Sequence, residues 1–155
     1  MTDQTTIPES ELPLAGIRVI EFCHMIAGPT VGLVLADLGA DVIKIEPAPD
    51  GDKTRNITGG GSGFFTIMNR NKRSVMLDLK SSEGKQAALD LVKSADVLVE
   101  NFRPGSVDKM GFGAEAMMAL NPRLIYTSVK GFLTGPYDDR AALDEVVQMM
   151  TGLAY

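Results

Sequence analysis

The 155-residue chain has one cysteine, one histidine and no excess of basic residues. Cys23 cannot form an internal disulfide or a cysteine-rich metal site, and a lone cysteine fits a reducing compartment. With His24 as the only histidine, a zinc site is not expected, and no metal is assigned. The net charge of −5 excludes a generic nucleic-acid footprint, so a polyanionic small molecule would need a local basic cluster. No apolar run reaches the length of about 18 residues that spans a bilayer, so no membrane partner is expected. Residues 1–14 are polar and acidic without a basic leader region, and cytoplasmic residence is the default expectation. Internal repeats are absent. What remains, 45% hydrophobic and 23% charged residues, suffices for one ordinary core.

The apolar pattern reads as α/β. Residues 17–22 form a buried strand, and Gly28-Pro29 then opens a helix with proline at its first position. Val31, Val34, Leu35 and Leu38 recur at helical spacing as its inner face, and Gly39 supplies a left-handed stop. A second strand follows at Asp41–Glu46, and the two short connections favour a parallel sheet. Residues 47–63 are rich in proline and glycine and read as a mobile surface excursion that builds no core. Ser74–Lys80 alternates like a strand; Ser81 or Ser82 caps a helix whose Ala88, Leu91, Val92 and Ala95 share a face. Further strands are expected at 96–102 and 124–130, with helices at 114–120 and from Asp144 to about Met150.

Chemistry is expected at the carboxyl ends of these strands, where a parallel sheet forms its ligand crevice. Arg70, Lys72 and Arg73 cluster before the third strand, Lys80 closes it, Arg103 and Lys109 follow the fourth, and Lys130 and Arg140 follow the fifth. Lys80, Asn101–Arg103 and Lys130 are expected to converge on a ligand bearing several phosphates. The alternative for each is a solvated surface charge. Asn101-Phe102-Arg103-Pro104-Gly105 offers an amide, a stacking face and a guanidinium at a strand end, although Pro-Gly alone would explain it as a turn. Glu21, Glu46, Glu100 and Asp144 are the carboxylates in useful places. A nicotinamide enzyme holding a ribose on Glu46 fails on glycine spacing, because Gly28 and Gly32 give G-x-x-x-G rather than G-x-G-x-x-G. His24 reads as a partly buried, hydrogen-bonded residue, and Cys23 as a small core residue.

Several ordered blocks together carry a resemblance: Leu14-Ala15-Gly16-Ile17-Arg18-Val19-Ile20-Glu21, Ala27-Gly28-Pro29, Asp37 through Glu46, Asn71-Lys72-Arg73-Ser74, Leu77-Asp78-Leu79-Lys80, Ala95 through Gly105, and Asn121-Pro122-Arg123-Leu124-Ile125-Tyr126. In order and spacing they resemble the family III CoA transferases, a group that also holds the α-methylacyl-CoA racemases. The resemblance implies a Rossmann-like parallel sheet with flanking helices. Residues 1–13 would be a polar extension, and 14–155 the front portion of the CoA-binding domain. Full-length members form homodimers whose chains thread each other like linked rings.

Coenzyme A is implied as substrate, with no tightly bound cofactor, and the partners are an acyl-CoA and a carboxylic acid. By matching position, Ile26 and Ala27 lie along the CoA, Leu77 and Lys80 near its adenine and phosphates, and Asn101, Phe102, Arg103 and Lys109 around the nucleotide, with Lys130 beside the same crevice. Pro47 stands where some transferases place an arginine. Asp144 matches an acidic residue near the reacting thioester; read from its residue type alone, it is a helix N-cap. Leu143 replaces the histidine of the racemases, which favours transfer over racemisation, since proton abstraction needs a positioned base. In the implied reaction an aspartate attacks the thioester, CoA leaves as thiolate, and mixed anhydrides and an enzyme thioester pass CoA to a second acid, small dicarboxylates being the expected class. That nucleophile is expected beyond Tyr155, so residues 1–155 alone are expected to be inactive. The other readings are a racemase of the same family and a non-catalytic CoA- or nucleotide-binding module.

Overall fold

The computed structural model describes residues 8–61, 63–140 and 142–153. Most of the expected polar extension, Ser62 of the glycine-rich run, and Ala154 and Tyr155 lie outside them.

Five strands, β1 (Arg18–Phe22), β2 (Asp41–Pro47), β3 (Arg73–Leu77), β4 (Val97–Glu100) and β5 (Ile125–Ser128), form one sheet in the order β3-β2-β1-β4-β5. All pairings are parallel. Helices α1 (Ala27–Asp37), α2 (Phe64–Met68), α3 (Ser82–Lys93), α4 (Ser106–Met110), α5 (Ala114–Leu120) and α6 (Asp144–Met150) connect or follow them. The chain moves outward from β1 to β2 and β3, then returns across the sheet to β4 and β5. The sequence order therefore reverses between β1 and β4, the place where open α/β sheets form ligand crevices.

Side-chain alternation sorts each inner strand between two faces. Ile20, Phe22, Ile43, Ile45 and Leu98 pack with Ala88 and Val92 of α3 and with Val107, Phe112 and Met117. On the other face Val19, Val42, Cys23 and Val99 meet Ala36 and Ala40. That second face changes character along the strands, because Glu21, Lys44 and Glu46 continue the Val19 and Val42 rows and are at most 1% exposed.

Several expectations need correction. Helix α1 starts at Ala27, which puts Pro29 at its third position, and its inner face is Gly28, Pro29, Gly32, Leu33 and Ala36. Of the expected stripe, Val31 and Leu35 pack partly buried against the Val19 and Val42 core, whereas Val34 and Leu38 are 52% and 40% exposed. The small residues face inward because the sheet offers polar side chains there and the helix must approach closely. A Cβ on Gly28 would come within 2.6 Å of Cys23 Sγ, and one on Gly32 would run into the Glu21 carboxylate. Strands β3, β4 and β5 are shorter than expected, so Lys80, Phe102 and Lys130 lie beyond their ends. The short helices α2 and α4 lacked a periodic signal to predict them.

Residues 47–63 are also more than a surface excursion. Gly51, Asp52 and Thr54 are buried, and 3-10 turns form at Lys53–Asn56 and Gly59–Gly61. The buried charges of β2 hold this segment down. Asp52 Oδ2 lies 2.9 Å from Lys44 Nζ, and the Asp52 amide donates to Glu46 at 2.8 Å. Arg55 donates two bonds to Glu46, at 2.7 and 2.6 Å, and its guanidinium lies 3.8 Å from the centre of the Phe65 ring.

Candidate functional site

A cavity of about 750 Å³ opens at the carboxyl ends of β1, β2 and β3 and reaches Phe102 after β4. The buried Phe22 and Ile45, with Leu77, Leu79 and Met110, supply apolar lining; residues 52–54, Asp78 and Lys80 supply polar groups. Lys53 and Lys80 line it and are exposed, and among the described residues neither has an acidic partner within ion-pair distance. A concave apolar space with two free ammonium groups can take a partly apolar ligand that carries anionic groups.

The turn between β1 and α1 forms one wall. Asn101, just past β4, accepts from the His24 amide at 2.9 Å and donates to the His24 carbonyl at 2.8 Å. This bidentate link closes the gap between β1 and β4 at the reversal of strand order. His24 is exposed rather than partly buried, and its ring lies 5.5 Å from that of Phe102. Desolvation by its surroundings lowers its pKa; Asp52 opposes this and Lys44 adds to it.

Beneath the cavity lies a buried charge cluster. Lys44 Nζ reaches Glu21 Oε1 at 3.3 Å, Asp52 Oδ2 at 2.9 Å and the Cys23 carbonyl at 2.5 Å. Lys72 Nζ reaches Glu21 Oε2 at 2.7 Å, the Pro29 carbonyl at 2.7 Å and Asn69 Oδ1 at 3.2 Å. Lys72 donates to three acceptors, and Lys44 donates to two and pairs with the Asp52 charge, which makes the burial of two lysines tolerable. Burial pushes the Glu21 carboxyl up, with Lys44 and Lys72 pulling it back, and pushes the Lys72 ammonium down against the pull of Glu21. Burial and the Glu21 charge both push the Cys23 thiol up, so it stays a protonated core residue whose Sγ lies 3.5 Å from the Val99 carbonyl.

Three of the expected basic residues are therefore engaged by carboxylates away from the cavity lining, Lys72 in the interior and Arg70 and Arg73 at the surface. Lys72 belongs to this cluster, Arg70 pairs with Asp37, and Arg73 with Asp41. Glu46, too, is unavailable to a ribose. It accepts from Arg55, from Ser74 Oγ at 2.6 Å and from the Asp52 amide. Burial alone would raise its pKa, but those hydrogen bonds outweigh it and hold the value at about 2. Because the folded value lies below the ordinary glutamate value of about 4.5, the stabilisation is present above about pH 4.5 and is lost as pH falls towards 2. Glu46→Gln is expected to lower stability by about 2–3 kcal/mol near neutral pH. Urea unfolding across pH should show the gap to wild type closing below about pH 4.5. A gap that does not change with pH would contradict the assignment.

Of the candidate ligand residues, Leu77, Lys80 and Phe102 line the cavity. Asn101 acts on its wall through His24. Ile26 and Ala27 are exposed at the start of α1, next to the lining residue Met25. Arg103 and Lys109 are exposed on the side of α4, next to lining residues Phe102 and Met110. Lys130 follows β5, the sheet edge opposite β3. Lys130 is exposed and is not among the lining residues of this cavity. Asp144 is the first residue of α6 rather than its N-cap, which is Leu143; it is exposed, outside the cavity lining, and accepts from Gln148 Nε2 at 2.7 Å. Met25, Asp52, Lys53 and Thr54 are lining residues that the sequence reading missed. A usable signal existed in β2, where charged Lys44 and Glu46 interrupt an apolar row at period two and so required buried partners.

The family model for CoA-transferase family III matches residues 14–155. The formyl-CoA:oxalate CoA-transferases of Bradyrhizobium sp. (strain ORS 278) and Rhodopseudomonas palustris (strain BisB18) are 46% and 47% identical to it over 145 residues. Each alignment covers 91% of this chain and 34% of the relative, so the chain spans about a third of the length of the curated relatives it matches. A CAIB/BAIF family protein from Brucella suis superposes with a TM-score of 0.83 at 45% identity, covering 91% of this chain and 39% of that one. A hypothetical protein from Mycobacterium tuberculosis gives a TM-score of 0.85 at 42% identity, covering 92% and 40%.

Proposed function

The chain belongs to CoA-transferase family III, and from this we propose that it forms the CoA-binding front portion of an enzyme that moves CoA from an acyl-CoA to a small carboxylic acid. Formyl-CoA and oxalate, the pair named for its relatives, are the first donor and acceptor to try. The observation that carries this reading is the cavity at the reversal of strand order, apolar within and flanked by Lys53 and Lys80, which have no acidic partner among the described residues. Leu77 and Phe102 would hold apolar parts of the coenzyme, and Lys80 a phosphate. Arg103, Lys109 and Lys130 would extend the positive edge along α4 and β5, with Ile26 and Ala27 against the pantetheine arm. The resemblance assigns Asp144 to the neighbourhood of the thioester.

Transfer is favoured over racemisation because Leu143, which is 60% exposed, has no group to abstract a proton. The exposed Leu143, Met149, Met150 and Leu153 fit an assembly in which further chain, or a second copy, covers α6. Size-exclusion chromatography with light scattering reads that assembly.

Titration calorimetry with CoA tests the binding reading. Lys80→Ala is expected to weaken CoA about threefold to tenfold, the effect of one exposed cation on a phosphate, and rising salt should shrink the difference. CoA binding that ignores both salt and Lys80 would overturn the placement of the phosphates. Isotope exchange between labelled oxalate and formyl-CoA tests the reaction; turnover by residues 1–155 alone would show that the nucleophile lies within them.

A further inference from the structure

Four side chains hold the turn from β1 into α1 by its backbone. Lys44 donates to the Cys23 carbonyl, Asn101 takes both backbone groups of His24, Thr54 Oγ1 accepts from the Met25 amide at 3.2 Å, and Lys72 donates to the Pro29 carbonyl. The side chains of the turn face outward, with Met25 46% and Ile26 40% exposed, and Met25 lines the cavity. Met25 also has φ of 64°, a left-handed conformation that a long side chain adopts only where its surroundings impose it.

Thr54 is the group placed to impose it. It is 1% exposed, and its hydroxyl and amide both donate to Asp52 Oδ1, at 2.7 and 2.9 Å. With the hydroxyl proton on Asp52, an oxygen lone pair is left to accept from Met25. Asp52 is in turn held by Lys44. A chain of polar contacts thus runs from the strand β2 through Asp52 and Thr54 to the strained residue at the cavity wall.

We propose that Thr54 is a positioning residue for the coenzyme site, holding the Met25 amide so that the left-handed turn presents Met25 and Ile26 to the bound ligand. The inference rests on the CoA-binding reading above. Valine has the shape of threonine without the acceptor, whereas serine keeps the hydroxyl. In Thr54→Val, which removes the acceptor of the Met25 amide along with the hydroxyl bond to Asp52, hydrogen exchange at the Met25 amide should rise about tenfold while the Val99 amide stays protected. CoA titrated into the same protein should bind about tenfold more weakly. Thr54→Ser should restore both to within about twofold, and Thr54→Ala, which lacks the hydroxyl but cannot overpack the site, should repeat the valine result. Unchanged Met25 exchange, or faster exchange with unchanged CoA affinity, would overturn the proposal. A wild-type chain that does not bind CoA would refute the coenzyme reading instead, with the exchange measurement still deciding whether Thr54 holds the turn.

Discussion

Gly32→Ala is expected to destabilise the chain by about 3–5 kcal/mol, although alanine is ordinarily the better helix former. In an exposed helix interior the same change would stabilise by about 1 kcal/mol, so the expected sign is reversed by what lies beneath. The added methyl runs into the Glu21 carboxylate, which is 0% exposed, and lies 3.1 Å from Lys72 Nζ. Neither group can move away freely. Glu21 is held from both sides by Lys44 and Lys72, and Lys72 is held by Pro29 of the same helix. Either α1 lifts off the sheet, or the carboxylate leaves one of its ammonium partners unpaired in the interior. Urea unfolding gives the measurement, with Val34→Ala as the control: Val34 is 52% exposed on the outer face of α1, and its truncation should change stability by no more than about 0.5 kcal/mol. A loss below about 1 kcal/mol for Gly32→Ala would mean that the helix does not sit on the carboxylate.

Removing the ammonium itself should be comparably damaging. Lys44→Met keeps the length and the apolar stem of the side chain but leaves Asp52 Oδ2 without its cation and Glu21 with one partner instead of two. Breaking one side of a buried ion pair costs about 3–5 kcal/mol, because the charge left behind stays desolvated. The loss should also be non-additive. In Lys44→Met combined with Asp52→Asn the orphaned charge is gone, so the double variant should be less destabilised than the sum of the single ones by about 1–3 kcal/mol. Strict additivity would show that the 2.9 Å contact between Lys44 and Asp52 carries no net interaction.

Both expectations concern residues whose partners lie far along the chain, and this is where the sequence was hardest to read. Lys72 stands between Arg70 and Arg73 in one basic run and is chemically indistinguishable from a ligand-binding lysine. It becomes structural only because Glu21, 51 residues away, lies under it. Lys80 looks similar in sequence and remains free at the cavity. The face of α1 was legible only at Val31 and Leu35 for a related reason: a period of 3.6 identifies apolar stripes, but a neighbour with buried charges needs glycine at the contact, and glycine carries no hydrophobic signal. Helices α3 and α5 were legible because α3 meets apolar strands and has a local cap, the Ser81 hydroxyl accepting from the Gly84 amide at 3.0 Å, while α5 ends at Asn121-Pro122. Asp144 was legible as a helix start to within one residue, yet its cap role passed to the backbone of Leu143.

By itself, the sequence determined the local and collinear properties of this protein: five strands in chain order, their α/β alternation, and a family resemblance that rests on motif order. Those properties depend on neighbours within a few residues, or on spacing alone. Only the tertiary structure decided the strand order β3-β2-β1-β4-β5, which of the basic residues line the cavity, and which charges are neutralised inside. The physical reason is that a charged side chain is a ligand group or a structural one according to what faces it. In β1 and β2 the register puts Glu21 directly opposite Lys44, a pairing of residues 23 apart that no local pattern contains.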